Sequence, residues 1–176
     1  MTIIVYKDKI LASDRAEYMY GIVTGERQKV CKYTNGGMTY YVGVSGDTTT
    51  AAIVCDMIRM FAESRHGDYI PHEFKLIGNE QATWVDRVID AEVFSGVLVV
   101  TNEHVNIPAV FNLSKAPYIL PITSDEYAVG SEDAVIAARA AMMAGATARE
   151  AVKIACELTN IAQIKGSADI DSVCVI

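Results

Sequence analysis

Hydrophobic and polar residues alternate in short runs near the start of the chain. Residues 3–6 and 10–13 are apolar runs separated by a polar tripeptide, which predicts an antiparallel hairpin with a tight turn. A second hairpin is predicted for residues 29–33 and 38–44, because Asn35-Gly36 between them is the strongest short-range hairpin signal. The chain is therefore expected to begin with antiparallel strands.

Helical spacing of apolar residues begins after the second hairpin. Residues 47–50 provide N-terminal capping groups, and apolar residues then recur at helical spacing up to Gly67. Further helices are predicted at 80–92, 132–145 and 147–158, and further strands at 96–101, 118–122 and 172–176. This order of elements, with hairpins at the start, helices among strands in the middle and a strand at the end, predicts the α+β class.

The composition fits one folded domain over residues 1–176. Of the 176 residues, 51% are hydrophobic and 21% are charged, which is enough apolar material for a buried core. The net charge of −7, from 15 basic and 22 acidic residues, argues against binding to nucleic acid. The N-terminus lacks an export signal, and no apolar run approaches the roughly 20 residues that cross a bilayer. A soluble cytoplasmic protein without a membrane partner is expected.

Metal and cofactor sites are not expected. His66, His72 and His104 lack the spacing of metal ligands, and no phosphate-binding glycine loop occurs. The cysteines are widely spaced and lie among apolar residues, which indicates reduced, packed thiols. Any use of ATP would have to come from a partner protein.

The first hairpin brings reactive groups to one end of a sheet. If its turn is centred on Asp8, residue i faces residue 16 − i, and Thr2 lies opposite Asp14. Removal of Met1, which is usual before a small residue, would add a free α-amine. The amine of an N-terminal threonine titrates near 8 and can activate the hydroxyl of the same residue. Thr2 is therefore a candidate nucleophile, although an ordinary branched residue opening an edge strand has the same pattern.

Several short segments together carry a family resemblance. The N-terminal signature is TIIVYKD at 2–8 followed by ILASDR at 10–15. It resembles that of proteasome β-type threonine peptidases, most closely the bacterial HslV branch and phage relatives. QKV at 28–30 is similar to the segment with the active-site lysine of that family, and VGVSG at 42–46 to its glycine-containing strand. YAVGS at 127–131 is similar to a third segment, whereas residues 67–116 share only the order of elements.

The resemblance implies the fold and the assembly of an N-terminal nucleophile (Ntn) hydrolase. The fold would be a four-layer αββα sandwich, in which two antiparallel sheets stack face to face with helices outside. The chain would form a homo-oligomeric ring, a hexamer or heptamer, single or stacked, with its active sites facing an inner chamber. Unfolded polypeptides would be the substrate, and an AAA+ ATPase unfoldase is the partner that the resemblance suggests.

Five residues are catalytic candidates by the same resemblance. Thr2 would be the nucleophile with its freed amine as base, and Asp14 would orient both Thr2 and a lysine. Lys29 would supply positive charge, the backbone N–H of Gly46 would face the developing oxyanion, and Ser131 would support the nucleophile. The simpler alternatives are a solvent-facing lysine at 29, a turn glycine at 46 and an ordinary helix cap at 131.

One feature of the resembled family is missing near the C-terminus. The family usually places an aspartate shortly before a small residue and a glycine, whereas residues 161–167 are IAQIKGS here. The resemblance still implies a threonine endopeptidase acting on unfolded polypeptides. A catalytically inactive, ring-forming structural or binding protein is the alternative, and a small-molecule amidase on the same fold is a third hypothesis.

Overall fold

The computed structural model of the chain describes residues 2–19, 22–46, 48–64, 94–114, 120–159 and 171–174. The predicted helix at 80–92 and the segment 161–167 lie outside these residues. The elements are β1 (Ile3–Lys7), β2 (Ile10–Ser13), β3 (Ala16–Met19), β4 (Ile22–Glu26), β5 (Val30–Asn35), β6 (Met38–Ser45), α1 (Thr48–Ser64), β7 (Ser95–Asn102), β8 (Val105–Ser114), β9 (Leu120–Ile122), β10 (Glu126–Gly130), α2 (Glu132–Met143), α3 (Ala148–Thr159) and β11 (Asp171–Cys174). Antiparallel sheets combined with helices confirm the α+β class.

Two antiparallel sheets form most of the described structure. One has the strand order β10-β1-β2-β11, the other has the order β5-β6-β7-β8-β9, and β3 and β4 form a separate pair. Ile3 and Val5 of β1 pack with residues of α2 and α3, whereas Ile4 and Tyr6 pack with residues of the five-stranded sheet. Helix α1 packs against the other face of that sheet. β1 is therefore buried on both faces and lies between β10 and β2.

Four strands have no counterpart among the predicted elements: β3, β4, β8 and β10. Their patterns are weak, because Glu17 and Gly25 interrupt the short strands β3 and β4, and their pairing contains an irregularity after Glu17. Pro108 lies within β8, where it is tolerated because the pairing of β8 with β9 covers only positions from Val110 onwards. The other predicted strands and helices among the described residues are present within a few positions.

The second hairpin forms as predicted, but its turn is shifted by one residue. Asn35 pairs with Met38, and the positive φ angles belong to Gly36 (55°) and Gly37 (79°). Asn35 has another role: its Nδ2 donates hydrogen bonds to the carbonyls of Ala62 and Glu63 near the end of α1. The amide therefore joins the hairpin to carbonyls that the helix leaves unpaired.

The predicted register of the first hairpin is wrong by one residue. Lys7 pairs with Ile10, and the turn is formed by Asp8 and Lys9, with φ angles of 51° and 59°. A two-residue turn of this kind matches the twist of the strands, whereas the prediction assumed a turn centred on Asp8 alone. Ile3, rather than Thr2, is therefore the residue opposite Asp14.

The left-handed backbone at Lys9 leads to a stability prediction. Replacing Lys9 by glycine is expected to raise the free energy of unfolding by about 1 kcal/mol, because glycine adopts positive φ without the steric cost of a Cβ atom. Urea unfolding monitored by circular dichroism measures the change. Lys9→Ala is the matched control, since it removes the same side chain but keeps the Cβ atom. A glycine variant no more stable than the alanine variant would contradict the prediction.

Candidate functional site

Asp14 follows β2 and is almost fully buried, at 3% exposure. Its Oδ1 accepts a hydrogen bond from the backbone N–H of Ile3 at 2.8 Å, and its Oδ2 accepts one from that of Ala16 at 3.2 Å. The backbone N–H of Asp14 in turn donates to the carbonyl of Ile3 at 3.3 Å. These bonds fix the carboxylate beside the residue that follows Thr2.

Lys29 lies just before β5 and connects Asp14 to Thr2. Its Nζ donates to Oδ2 of Asp14 at 2.7 Å and to Oγ1 of Thr2 at 2.9 Å. Lys29 is only 6% exposed, which excludes the alternative of a solvent-facing strand lysine. Burial lowers the pKa of Lys29 from its ordinary value, and the charge of Asp14 acts in the opposite direction. One buried carboxylate therefore holds the amine in place beside the threonine hydroxyl.

The backbone of Thr2 is held from β10. The N–H of Ser131 donates to the carbonyl of Thr2 at 3.0 Å. Gly130 pairs with Ile3 and has a φ of 143°, and a Cβ atom at this position would overlap the carbonyl oxygen of Thr2. Only glycine allows the two strands to approach so closely. Thr2 is thus anchored through its carbonyl while its hydroxyl contacts Lys29.

Gly46 lies at the same end of the five-stranded sheet as Lys29. Val30 pairs with Gly43, so the same register brings Lys29 level with Val44, shortly before Gly46. Gly46 directly follows β6 and precedes α1. Its role as an oxyanion donor stays a prediction.

Ser131 occupies the N-cap position of α2, but its hydroxyl does not form a side-chain capping hydrogen bond. Within the described part of the chain, its buried Oγ atom has no hydrogen-bond partner, and the same is true of Ser13, which precedes Asp14. Ser131 therefore differs from an ordinary capping serine, whose hydroxyl accepts a hydrogen bond from the first turn of its helix. A supporting role for Ser131 beside the nucleophile stays a prediction.

A thiol lies close to this group, and no pattern in the sequence indicates it. Cys156 is a half-buried cysteine without a disulfide on α3, and it interacts electrostatically with both Asp14 and Lys29. Burial, followed by the charge of Asp14, raises the pKa of Cys156 to about 12. A cysteine following Ala155 on the packed side of a helix looks like any core residue in the sequence. A thiol with so high a pKa is a poor nucleophile near neutral pH.

The geometry supports nucleophilic chemistry at Oγ1 of Thr2. The hydroxyl accepts a hydrogen bond from Lys29, so its own proton is available to a base. A positive charge on Lys29 would stabilise negative charge that develops on the oxygen. Although the predicted strand register is wrong, Lys29 brings Thr2 and Asp14 into one hydrogen-bonded group, at 7% and 3% exposure.

The described ranges lack the features of a metal site and of a membrane-spanning helix. These ranges contain no group of three or more His, Cys, Asp or Glu residues arranged to hold a metal ion. His104 is exposed and lies 3.3 Å from the carboxylate of Glu103. Among the helices of the described ranges, none combines the length and the apolar character that a membrane crossing requires.

No family model and no curated protein matches this chain. Several solved structures do. Anbu (ancestral beta-subunit) from Yersinia bercovieri matches with a TM-score of 0.65 and 11% identity, over 98% of this chain and 80% of that one. A Gly-1 mutant of Anbu from Hyphomicrobium sp. strain MC1 matches with a TM-score of 0.68 and 12% identity, over 99% and 81%. The helical assembly of the Anbu complex from Pseudomonas aeruginosa gives 0.67 and 12%, over 98% and 80%.

These neighbours correct the family suggested by the sequence. The resemblance to the HslV branch of proteasome β-type peptidases is wrong, because the structural neighbours are Anbu proteins, which are proteasome-like but a distinct family. The segments that carried the resemblance are short, and segments of this length do not separate one family from another that shares the fold. At 11–12% identity the likeness establishes the fold alone: this chain has the fold of the Anbu proteins.

Proposed function

We propose that this chain is a threonine peptidase of the Ntn hydrolase type, folded as one domain over residues 1–176. The observation that carries the proposal is the position of Nζ of Lys29, 2.9 Å from Oγ1 of Thr2 and 2.7 Å from Oδ2 of Asp14. The two sheets share a core, and helices pack on their outer faces, which supports the four-layer αββα arrangement of such hydrolases.

The reaction would be acyl transfer to Thr2 and then to water. Oγ1 attacks the carbonyl carbon of a peptide bond, and its proton passes to the freed α-amine of the same residue. The C–N bond then breaks, the amine returns the proton to the departing peptide, and the ester left on Thr2 is hydrolysed by water. Lys29 would stabilise negative charge on Oγ1, and Asp14 would keep Lys29 in position.

Gly46 and Ser131 would complete the site. The backbone N–H of Gly46, between β6 and α1, would donate to the oxyanion that forms on the attacked carbonyl. The hydroxyl of Ser131, buried and without a partner among the described residues, would hydrogen-bond near the amine of Thr2. The role of Gly46 requires the peptide carbonyl to lie between Thr2 and the start of α1.

The protein would act as a homo-oligomer on unfolded polypeptides in the cytoplasm. One structural neighbour is a helical assembly of an Anbu complex, which supports self-association through this fold. A ring of six or seven copies would enclose the Thr2 sites. An AAA+ ATPase would then supply unfolded substrate, since the chain lacks a phosphate-binding loop of its own.

Covalent labelling tests the proposal. Removal of Met1 and a single adduct with a peptide epoxyketone, located on Thr2 by mass spectrometry, are expected. Thr2→Ala should abolish the adduct and Thr2→Ser should retain it. Cys156→Ala is the control for the neighbouring thiol and should label like the wild type, because the pKa of Cys156 is raised to about 12. Retention of Met1, or an adduct that survives Thr2→Ala, would refute the proposal.

A catalytically inactive, ring-forming structural or binding protein is the second candidate. It is favoured by the sequence IAQIKGS at 161–167, which lacks the aspartate that proteasome β-type threonine peptidases usually have in this region. An oligomer in light scattering that lacks Met1 but forms no adduct with epoxyketone or vinyl sulfone peptides would support this candidate over the peptidase.

A further inference from the structure

A second cationic side chain lies beside the Thr2 site. Arg27 precedes Lys29 by two positions and is half-buried. Its backbone N–H donates to the carbonyl of Arg15 at 2.8 Å, and its Nη1 donates to the carbonyl of Thr48 at 3.2 Å. Arg27 is thereby held between Arg15, which lies between β2 and β3, and Thr48, the first residue of α1.

The charge of Arg27 is unmatched within the described part of the chain. Lys7, Lys29, Arg59 and Lys153 each face a carboxylate there, whereas the guanidinium of Arg27 faces a backbone carbonyl. Its Nε, like that of Arg15, is buried without a hydrogen-bond partner among the described residues, and a buried donor without an acceptor is costly. Of the two, only Arg15 has a carboxylate of a described residue, that of Glu26, within 4 Å of this atom.

The described residues around Arg27 include one carboxylate that could compete for its charge. The nearby carboxylate of Glu17 accepts a hydrogen bond from the hydroxyl of Thr48 at 3.0 Å and so is already engaged. The first turn of α1, which begins at Thr48, contains no acidic residue. The N-terminal end of a helix favours negative charge, so a carboxylate placed here would meet two favourable electrostatic contributions.

Arg27 is also close enough to the reacting group to influence it. Its positive charge is among the causes that lower the pKa of Lys29, whose Nζ is 2.9 Å from Oγ1 of Thr2. In a peptide attacked by Thr2, the side chain nearest the attacked carbonyl belongs to the residue that contributes this carbonyl. That side chain is therefore the one placed to reach Arg27.

We propose that Arg27 is a specificity-determining residue, which selects substrates with Asp or Glu immediately before the bond that is cleaved. The inference rests on the proposed peptidase function and names its substrate class. A carboxylate at this position would accept hydrogen bonds from the guanidinium, which fits such acceptors in a fixed geometry. An uncharged amide of the same shape would leave the positive charge uncompensated.

Matched fluorogenic peptides that differ only in Glu or Gln before the fluorophore test the proposal. In the wild type, kcat/KM should be about tenfold higher for the Glu peptide than for the Gln peptide. Arg27→Met should reduce this ratio to about one, and Arg27→Lys should retain a preference for Glu. Arg15→Met is the control and should keep the wild-type ratio, because the guanidinium of Arg15 already faces Glu26 at 3.9 Å. A wild-type ratio near one, or a ratio unchanged in Arg27→Met, would overturn the proposal.

A binding assay separates this inference from the peptidase proposal. If the wild type cleaves no peptide, the proposed function fails, and Arg27 is then judged by fluorescence anisotropy with the Thr2→Ala variant. A labelled peptide containing Glu should bind about tenfold more tightly than its Gln counterpart, and adding Arg27→Met should remove the difference. Equal affinities in the Thr2→Ala variant would overturn the inference. Circular dichroism spectra of all variants establish that they are folded.

Discussion

Replacing Asp14 by alanine is expected to lower the free energy of unfolding by about 3–5 kcal/mol. The substitution leaves the buried amine of Lys29 without its carboxylate and removes the acceptor for the N–H groups of Ile3 and Ala16. An uncompensated buried charge is the main cost, and the unpaired amides add to it. Chemical denaturation monitored by circular dichroism measures the change.

The deficit of the Asp14→Ala variant should depend on pH. Burial already lowers the pKa of Lys29, and loss of Asp14 removes the interaction that opposes this shift. The folded variant therefore binds fewer protons than the unfolded chain at any pH between the lowered pKa and 10.5, the ordinary lysine value. The free energy of unfolding of the variant therefore rises with pH across that window. Its loss of stability relative to the wild type should be larger at pH 7 than at pH 9.5.

Two controls distinguish the buried ion pair from a general charge effect. Asp56→Ala removes the partner of Arg59 in an exposed pair and should change the stability by no more than about 0.5 kcal/mol. The double variant Asp14→Ala/Lys29→Met should lose less stability than the sum of the two single variants, because it leaves no unpaired charge. Additive losses, or an Asp14→Ala variant as stable as Asp56→Ala, would contradict the interpretation.

Replacing Gly130 by alanine is expected to cost about 3 kcal/mol of stability and to displace Thr2. The added Cβ atom would overlap the carbonyl oxygen of Thr2 and lie 2.9 Å from its carbonyl carbon. These are backbone atoms, so no side-chain rotation can relieve the overlap. Thermal unfolding measures the stability, and the rate of epoxyketone labelling measures the displacement of Thr2.

Gly145→Ala is the matched control for this substitution. Gly145 also has a positive φ, 96°, but a Cβ atom there would meet nothing within 4 Å. Its replacement should therefore cost only the backbone strain, about 1 kcal/mol, and leave labelling at Thr2 unchanged. If the two alanine variants lost equal stability and were labelled at equal rates, the close approach between β10 and Thr2 would not be the cause of the effects expected for Gly130→Ala.

Periodicity and turn residues predict much of the described fold. The apolar runs around the first turn locate β1 and β2, and the spacing after Thr48 locates α1. The register is harder, because Asp8 and Lys9 both adopt positive φ although neither is a glycine, and nothing in the pattern distinguishes their two-residue turn from a longer one. A shift of one residue changes which side chain lies opposite Asp14.

The members of this hydrogen-bonded group could be predicted, but their contacts could not. The hairpin pattern identifies Thr2 and Asp14, and the family resemblance adds Lys29. The structure joins them through the side chain of Lys29, which directly precedes a strand of the other sheet and which no local pattern places there. Cys156 gives no signal, since its position near Lys29 arises from the packing of distant segments. Arg27 gives none either, although it lies only two positions before Lys29. The family suggested by the same segments was wrong, because those segments reflect the shared fold.

The pairing of β1 with β10 has a consequence for how the protein matures. Thr2 is synthesised well before Ser131, yet its carbonyl is held by Ser131 and the strand that follows it pairs with Gly130. Pairings between such distant segments close large loops and form slowly. On the ribosome, the hairpin of β1 and β2 would keep both of its edges unpaired until β10 and β11 had emerged. A catalytic centre built this way would stay inactive during translation, which would protect the nascent chain and its neighbours from premature cleavage.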